Sequence, residues 1–282
     1  MLSVENISYT YNLDFGKVLE DVTMDFDKGQ IVGVLGANGS GKSTLMKVIM
    51  GLYQPQNGKV FYQGNSLIYN KKALYAYRQE VGIVFQDPEQ QLFYSVVEDD
   101  VALALRNLSY PEPEIKERVD KALKDMHIEH LRNRPVHYLS FGQKKKVAIA
   151  GVLALQPKYL LLDEPTAGLD PRGRNHMMFL MKKLAKQGTK IILTSHDMDL
   201  MYDCCDYVYL LDKGKLVLEG EVGSVFLEEE ILEKARLSLP WLVKLHLAMG
   251  LPLAENEQEF FERLGKDYGK IIDDSRNSFG CR

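Results

Sequence analysis

A continuous apolar run, IVGVLG (31–36), is followed at once by ANGSGKST (37–44) and then by LMKVIMGL (45–52). Nothing else in the chain limits its fold so tightly. A short run that is apolar at every position reads as a strand buried on both faces. STLMKVIMGL (43–52) takes up helical spacing. Between the two, Gly36-Ala-Asn38-Gly39-Ser40-Gly41-Lys42-Ser43 fits G-x-x-x-x-G-K-[ST]. Glycine lets the backbone curl closely enough for several N–H groups to converge on one anion. The helix that follows adds its positive N-terminal end. Strand, loop and helix in this order can cradle phosphate. Lys42 is expected to reach the outer phosphates, and Ser43 offers an oxygen to Mg²⁺, which prefers hard ligands.

Similar apolar runs recur at VGIVFQ (81–86), YLLLDE (159–164), KIILTS (190–195) and YVYLLD (207–212). Helical stretches separate most of them, which implies a parallel sheet covered on both faces. The fold class expected is α/β, a P-loop NTPase core. LSVENISYTY (2–11), VLEDVTMDF (18–26) and GKVFYQG (58–64) suggest an antiparallel β subdomain near the N-terminus. GKLVLEG (214–220) closes a hairpin. From about 95 to 155 the pattern is helical, in SVVEDDVALALRNL, PEPEIKERVDKALKDM and FGQKKKVAIAGVLAL. After Gly220 short helical patterns are broken by Pro240 and Pro252. Residues 1–220 are read as the main domain, with a helical subdomain over about 87–155, and 221–282 as a small helical extension.

Composition excludes several functions. With 35 Lys and Arg against 39 Asp and Glu the net charge is −4, so no overall basic field attracts nucleic acid. Cys204, Cys205 and Cys281 make no metal-ligand spacing and no disulfide framework. The adjacent pair reads as small apolar fillers of a helix face. The opening MLSVENISYTY lacks a basic start and a long apolar run, so no secretory leader is expected. No stretch approaches the ~18 apolar residues of a membrane span.

Two acids end a buried strand in Tyr159-Leu-Leu-Leu-Asp163-Glu164. Open α/β sheets bind ligands at such strand ends. Asp163 is expected to hold the metal through water, and Glu164 to polarise an attacking water.

At this point the chain resembles the nucleotide-binding subunits of ABC transporters, over about residues 2–220. Leu139-Ser140-Phe141-Gly142-Gln143 is similar to that family's signature, usually LSGGQ, and lies about twenty residues before the acidic strand. Phe141 departs from the pattern, which is read as a tolerated variant with its ring turned away from phosphate. Gln86, ending VGIVFQ, resembles the glutamine that senses metal and water. Gly168-Leu-Asp170 resembles the D-loop. His196, in TSHD, resembles the switch histidine at the γ-phosphate. Tyr11 is placed like the aromatic that stacks on adenine, with Tyr9 the alternative.

The resemblance implies a Mg²⁺-dependent ATPase in which two subunits face head to tail, as a homodimer or a related heterodimer. ATP would touch Tyr11 and the loop Gly36, Asn38, Gly39, Ser40, Gly41, Lys42, Ser43 and Thr44. Across the interface it would touch Ser140, Gly142 and Gln143, with Asp170 beside it. Ser43, Gln86 and Asp163 would attend the metal, and Glu164, His196 and Gln86 the chemistry. Gln86-Asp-Pro-Glu-Gln-Gln-Leu-Phe93 resembles the corresponding loop of energy-coupling-factor importers, including the cobalt and nickel branch. That implies an integral membrane partner and a peripheral place on the cytoplasmic face of the membrane. Phe93 and Leu92 are the expected anchors. Asp87, Glu89, Glu98, Asp99 and Asp100 are either partner contacts or a solvated face. Trp241, Leu242, Leu245 and Leu247 form a dimerisation patch or pack back on the main domain. Cobalt, nickel and a vitamin all remain as cargo. A soluble ABC regulator of ribosomes or DNA is the competing class, without the second module or coiled-coil insertion such chains usually carry. A P-loop kinase is opposed by LSFGQ, and a GTPase by the lack of N-K-x-D.

Overall fold

The computed structural model describes residues 1–12 and 16–265. Cys281 and positions 266–282 of the expected extension lie outside the described residues. In chain order the elements begin with β1 (Leu2–Tyr9), β2 (Leu19–Asp25), β3 (Ile31–Leu35), α1 (Lys42–Ile49), β4 (Asn57–Tyr62), β5 (Asn65–Ser66), α2 (Lys71–Glu80) and β6 (Val81–Val84). The helical stretch follows as α3 (Val97–Asn107), α4 (Glu112–Asp125) and α5 (Phe141–Ala154). The chain then returns to the sheet with β7 (Tyr159–Asp163), α6 (Pro171–Lys186), β8 (Lys190–Thr194), α7 (Met198–Cys204), β9 (Tyr207–Asp212) and β10 (Lys215–Glu221). The tail adds α8 (Val222–Val225), α9 (Glu229–Lys234) and α10 (Trp241–Met249), with further helix over 257–265.

Two sheets result. A four-stranded antiparallel sheet runs β2-β1-β4-β5, and a six-stranded sheet runs β10-β9-β3-β8-β7-β6. Within the second, β9, β3, β8, β7 and β6 are parallel, and only β10 pairs antiparallel. The parallel strands alternate their apolar side chains between two cores. Leu160 and Leu162 join the core shared with α3–α7, whereas Tyr159 and Leu161 face the core shared with α1 and the antiparallel sheet. This is why those segments read as unbroken apolar runs.

Register decides where the site lies. Thr194 is opposite Val34 of β3 on one side and Asp163 of β7 on the other. The glycine loop, the acidic pair and the segment after Thr194 therefore leave the sheet at the same edge. Val84 of β6 is opposite Leu162 of β7, so Gln86 and Glu164 both stand two residues beyond that rung.

The helix α2 had no counterpart in the apolar pattern, because Tyr77 is its only buried side chain. Asn70 caps it by accepting from Ala73 N at 2.8 Å. The helix in turn secures the end of α1. Tyr77 Oη donates to Ile49 O at 2.7 Å, and Arg78 Nη2 donates to Gly51 O at 2.9 Å.

Cys204 and Cys205 are free and buried in the core, as their sequence context suggested. Burial pushes the Cys204 thiol up to about 12. Leu242 is buried with Val243 in the main core, so it packs back and does not serve an exposed patch. Trp241 and Leu245 are half-buried, and Leu247 is exposed. No helix among the described residues is long and apolar enough to cross a membrane.

Candidate functional site

The loop after β3 is built around positions that admit no side chain. A Cβ on Gly36 (φ +152°) would lie 2.3 Å from Leu211 O and 2.4 Å from Ser40 Oγ. One on Gly41 (φ +108°) would meet Leu19 Cδ2 and Val18 O at 2.9 Å. Helix α1 then begins with Leu45 N donating to Gly41 O at 2.9 Å. Asn38, Gly39 and Ser43 are exposed along the loop. Lys42 is buried and curls back, its ammonium donating to Gly36 O at 2.6 Å and Ala37 O at 3.1 Å. Burial lowers the Lys42 pKa from its ordinary value, against the opposing pull of Glu164 and Asp163. Those two carboxylates thus lie within electrostatic reach of the loop.

The second wall comes from β7 and β8. Thr194 Oγ1 donates to Asp163 Oδ1 at 2.5 Å, and Glu164 N donates to Thr194 O at 3.1 Å. Glu164 has φ +49°, a left-handed backbone that a glutamate adopts only when its surroundings enforce it. Its carboxylate is buried, accepts from Ser195 Oγ at 3.4 Å, and lies 2.9 Å from His196 Nδ1. His196 itself is exposed. The residues expected to polarise water and to sense the terminal phosphate are therefore in direct contact.

Tyr9 and Tyr11 divide the aromatic role. Tyr9 packs against the core and stacks on Tyr53, with ring centroids 5.2 Å apart. Tyr11 is exposed, stands edge-on to both rings, and its hydroxyl is 2.9 Å from Thr44 Oγ1. It is the tyrosine of the two that offers a free face beside the loop.

Ser140 caps α5 through a capping box. Its hydroxyl accepts from Gln143 N at 3.4 Å, and Gln143 Oε1 accepts from Ser140 N at 3.0 Å. Phe141 follows, half exposed, and its ring lies over Gly168 in the turn after Glu164. A Cβ on Gly168 would be 2.6 Å from Phe141 Cδ1. Gly142 neighbours the same turn, where its own Cβ would lie 3.4 Å from Leu169 Cδ2. Asp170 caps α6 by accepting from Gly173 N at 2.7 Å.

The acidic residues of the 87–100 region are engaged within the chain. Asp100 is buried and accepts from Phe93 N and Tyr94 N, each at 3.0 Å. It is not a surface charge. Burial raises its pKa, with those two N–H groups opposing. Asp87 caps a short turn by accepting from Glu89 N at 3.0 Å. Glu89, Glu98 and Asp99 pair with Lys144, Arg132 and Arg106. Phe93, by contrast, is 74% exposed, and Leu92 is half-buried.

One site residue was not anticipated. Lys145 has no exposed surface, and its ammonium donates to Gln86 O at 3.0 Å and Glu164 O at 2.5 Å. It lay hidden in Lys144-Lys-Lys146. Its spacing to Ile149 and Leu153, both buried, marks it as part of the inward stripe of α5.

The donors present fit a triphosphate with a hard cation. Ser40 Oγ is buried without a protein partner, in the space that a Gly36 side chain would fill. Ser43, Asp163 and Gln86 supply hydroxyl, carboxylate and amide oxygens, the chemistry that suits Mg²⁺. Among the described residues no cluster of three or more His, Cys, Asp or Glu side chains could hold a metal alone.

The ABC transporter family model matches residues 19–167. The chain belongs to that family. It is 49% identical to the cobalt import ATP-binding protein CbiO of Salmonella typhimurium, over 94% of this chain and 97% of the relative. It is 44% identical to the energy-coupling factor transporter ATP-binding protein EcfA2 of Clostridium perfringens, over 85% and 84%. The solved structure of cbiO1 from Clostridium perfringens, part of the complex cbiONQ, superimposes with a TM-score of 0.73 at 42% identity. It covers 89% of this chain and 98% of that one. As an ABC transporter ATPase the protein binds and hydrolyses ATP.

Proposed function

We propose that this ABC ATPase powers import of cobalt or a related divalent metal ion through an integral membrane subunit. It works as one of two ATPase subunits facing head to tail on the cytoplasmic side of the membrane. Residues 1–220 form the motor and 221–282 its extension. The hydrolytic half of the reading is carried by the contact between Glu164 and His196 beside the Lys42 loop. The cargo is supported by likeness to CbiO along nearly the whole chain.

Gly36 to Thr44 bind the phosphates, and Tyr11 stacks on the adenine. Glu164 accepts the proton of the attacking water, and His196 orients that carboxylate and meets the terminal phosphate. Ser43, Asp163 and Gln86 hold Mg²⁺, which neutralises charge on the phosphate oxygens when bound. Ser140, Gly142 and Gln143 bring N–H and hydroxyl donors at a helix N-terminus to the partner's ATP, with Asp170 fixing the turn beside it. Only a triphosphate joins both faces, so closure follows from differential affinity. Phe93 and Tyr94, exposed above the turn that Asp100 holds, anchor the membrane subunit.

Glu164→Gln should keep ATP affinity and lose turnover; normal turnover would remove Glu164 as the base. In cells without their own cobalt importer, the chain with its membrane subunit should restore Co²⁺ uptake. A second reading, an energy-coupling-factor vitamin importer, is favoured by the likeness to EcfA2. Restored vitamin uptake with unchanged Co²⁺ uptake would establish it instead.

A further inference from the structure

Parallel strands β6 and β7 separate after the rung that pairs Val84 with Leu162. Two residues on, the main chains carry Gln86 and Glu164. The carbonyls of both are reached by one ammonium. Lys145 Nζ donates to Gln86 O at 3.0 Å and to Glu164 O at 2.5 Å, while Ala167 N also donates to Glu164 O at 3.2 Å. Lys145 thus replaces a missing rung of the sheet with a bridge delivered from α5.

Burying an ammonium is costly unless charge and hydrogen bonds compensate it. Lys145 has 0% exposure and two carbonyl acceptors. Burial pulls its pKa down to about 8, and Asp163, Glu164 and Asp87 oppose that shift. A packing role alone would be met at lower cost by methionine or leucine. What an apolar side chain cannot do is hold two carbonyls of separate loops at a fixed distance. Glu164 is in a left-handed conformation, φ +49°, so its side-chain direction depends on such restraint. The neighbouring Lys144 and Lys146 do not share this place, being half-buried on the outer side of the helix.

We propose that Lys145 is a positioning residue of the hydrolysis site, fixing the main chains of Gln86 and Glu164 relative to each other so that the Glu164 carboxylate is held toward the attacking water and the Gln86 amide toward the metal. This rests on the assignment of Glu164 as the base. The hydrogen bonds of Lys145 go to the carbonyls of Gln86 and Glu164 and not to the Lys42 loop, so its loss should change ATP affinity little. Its loss should act on turnover.

Lys145→Met keeps the length of the side chain and removes the donors. Supporting groups of this kind are worth about 10- to 100-fold in activity, so kcat should fall by that factor while the KM for ATP stays within about twofold. Lys145→Arg, which can donate to both carbonyls, should recover part of kcat. E164Q is measured beside them. A dead E164Q with an unimpaired Lys145→Met overturns the Lys145 proposal alone. An E164Q that turns over normally removes the base assignment, and this proposal with it. Loss of ATP affinity in step with kcat also overturns it, as does a loss of activity that only follows the folded fraction in thermal melting. If Lys145→Met does not fold, Lys145→Gln takes its place: reduced kcat with KM kept supports the bridge, and unchanged kcat overturns it.

Discussion

Gly168→Ala tests how the signature accommodates Phe141. Gly168 has φ +74°, and an L residue there costs about 1–2 kcal/mol. The new Cβ would also lie 2.6 Å from Phe141 Cδ1 and 2.7 Å from Cε1, well inside contact distance. Phe141 is 44% exposed, so its ring can turn outward and does not force the backbone apart. An aromatic side chain buries on the order of 100 Å² at this exposure, and lifting a third to a half of it loses about 1 kcal/mol. Gly168→Ala should therefore cost about 2–3 kcal/mol in the native sequence. In a Phe141→Ala background only the backbone part remains, about 1–2 kcal/mol. The four proteins of this cycle are compared by urea unfolding and by thermal melting, where each kcal/mol moves Tm by about 2–4 °C. The expected coupling is about 1 kcal/mol, with the double variant less damaged than the sum of the singles. Additivity to within about 0.3–0.5 kcal/mol would refute the packing of Phe141 on Gly168. The departure from LSGGQ would then have no compensation in the turn after the acidic strand.

Lys42→Met should fold and lose the stabilisation that ATP confers; in the parent protein this is about 2.7 kcal/mol at a hundredfold excess over Kd, readable as a rise in Tm. A rise of the same size in Lys42→Met would show that the loop does not grip the nucleotide through its lysine. Tyr11→Ala should weaken ATP binding by about 1–3 kcal/mol, the size of one base stack. Tyr11→Phe, which keeps the ring and loses only the contact with Thr44 Oγ1, should bind ATP nearly as the parent does. Equal affinity in both variants would return the stacking role to Tyr9. Fluorescence titration with a labelled nucleotide measures each.

Several elements were legible because their cause is local. IVGVLG-ANGSGKST is one unbroken stretch, and the glycines it needs at Gly36 and Gly41 are visible before any fold is known. YLLLDE and TSHD announce strands with chemistry at their ends, and parallel register then brings Asp163 beside Thr194. Helix α2 was not legible, since a helix held by Tyr77 and Arg78 has almost no apolar stripe. Asp100 is expected from the sequence at a partner contact or on a solvated face, and it is instead buried under Phe93 and Tyr94. Its place three residues after Val97 and next to Val101, both buried, was the missed clue to its burial.

The sequence by itself determined the phosphate loop, the acidic strand end, the alternation of strand and helix, and the family. Each depends on backbone conformation or on side chains within a few residues of one another. Only the tertiary structure decided that the inward lysine of the three reaches the carbonyls of Gln86 and Glu164, which tyrosine keeps a free face, and where the Phe141 ring rests. Those outcomes depend on which segments from distant parts of the chain meet, because burial and hydrogen bonding of a long polar side chain are set by the partners that surround it.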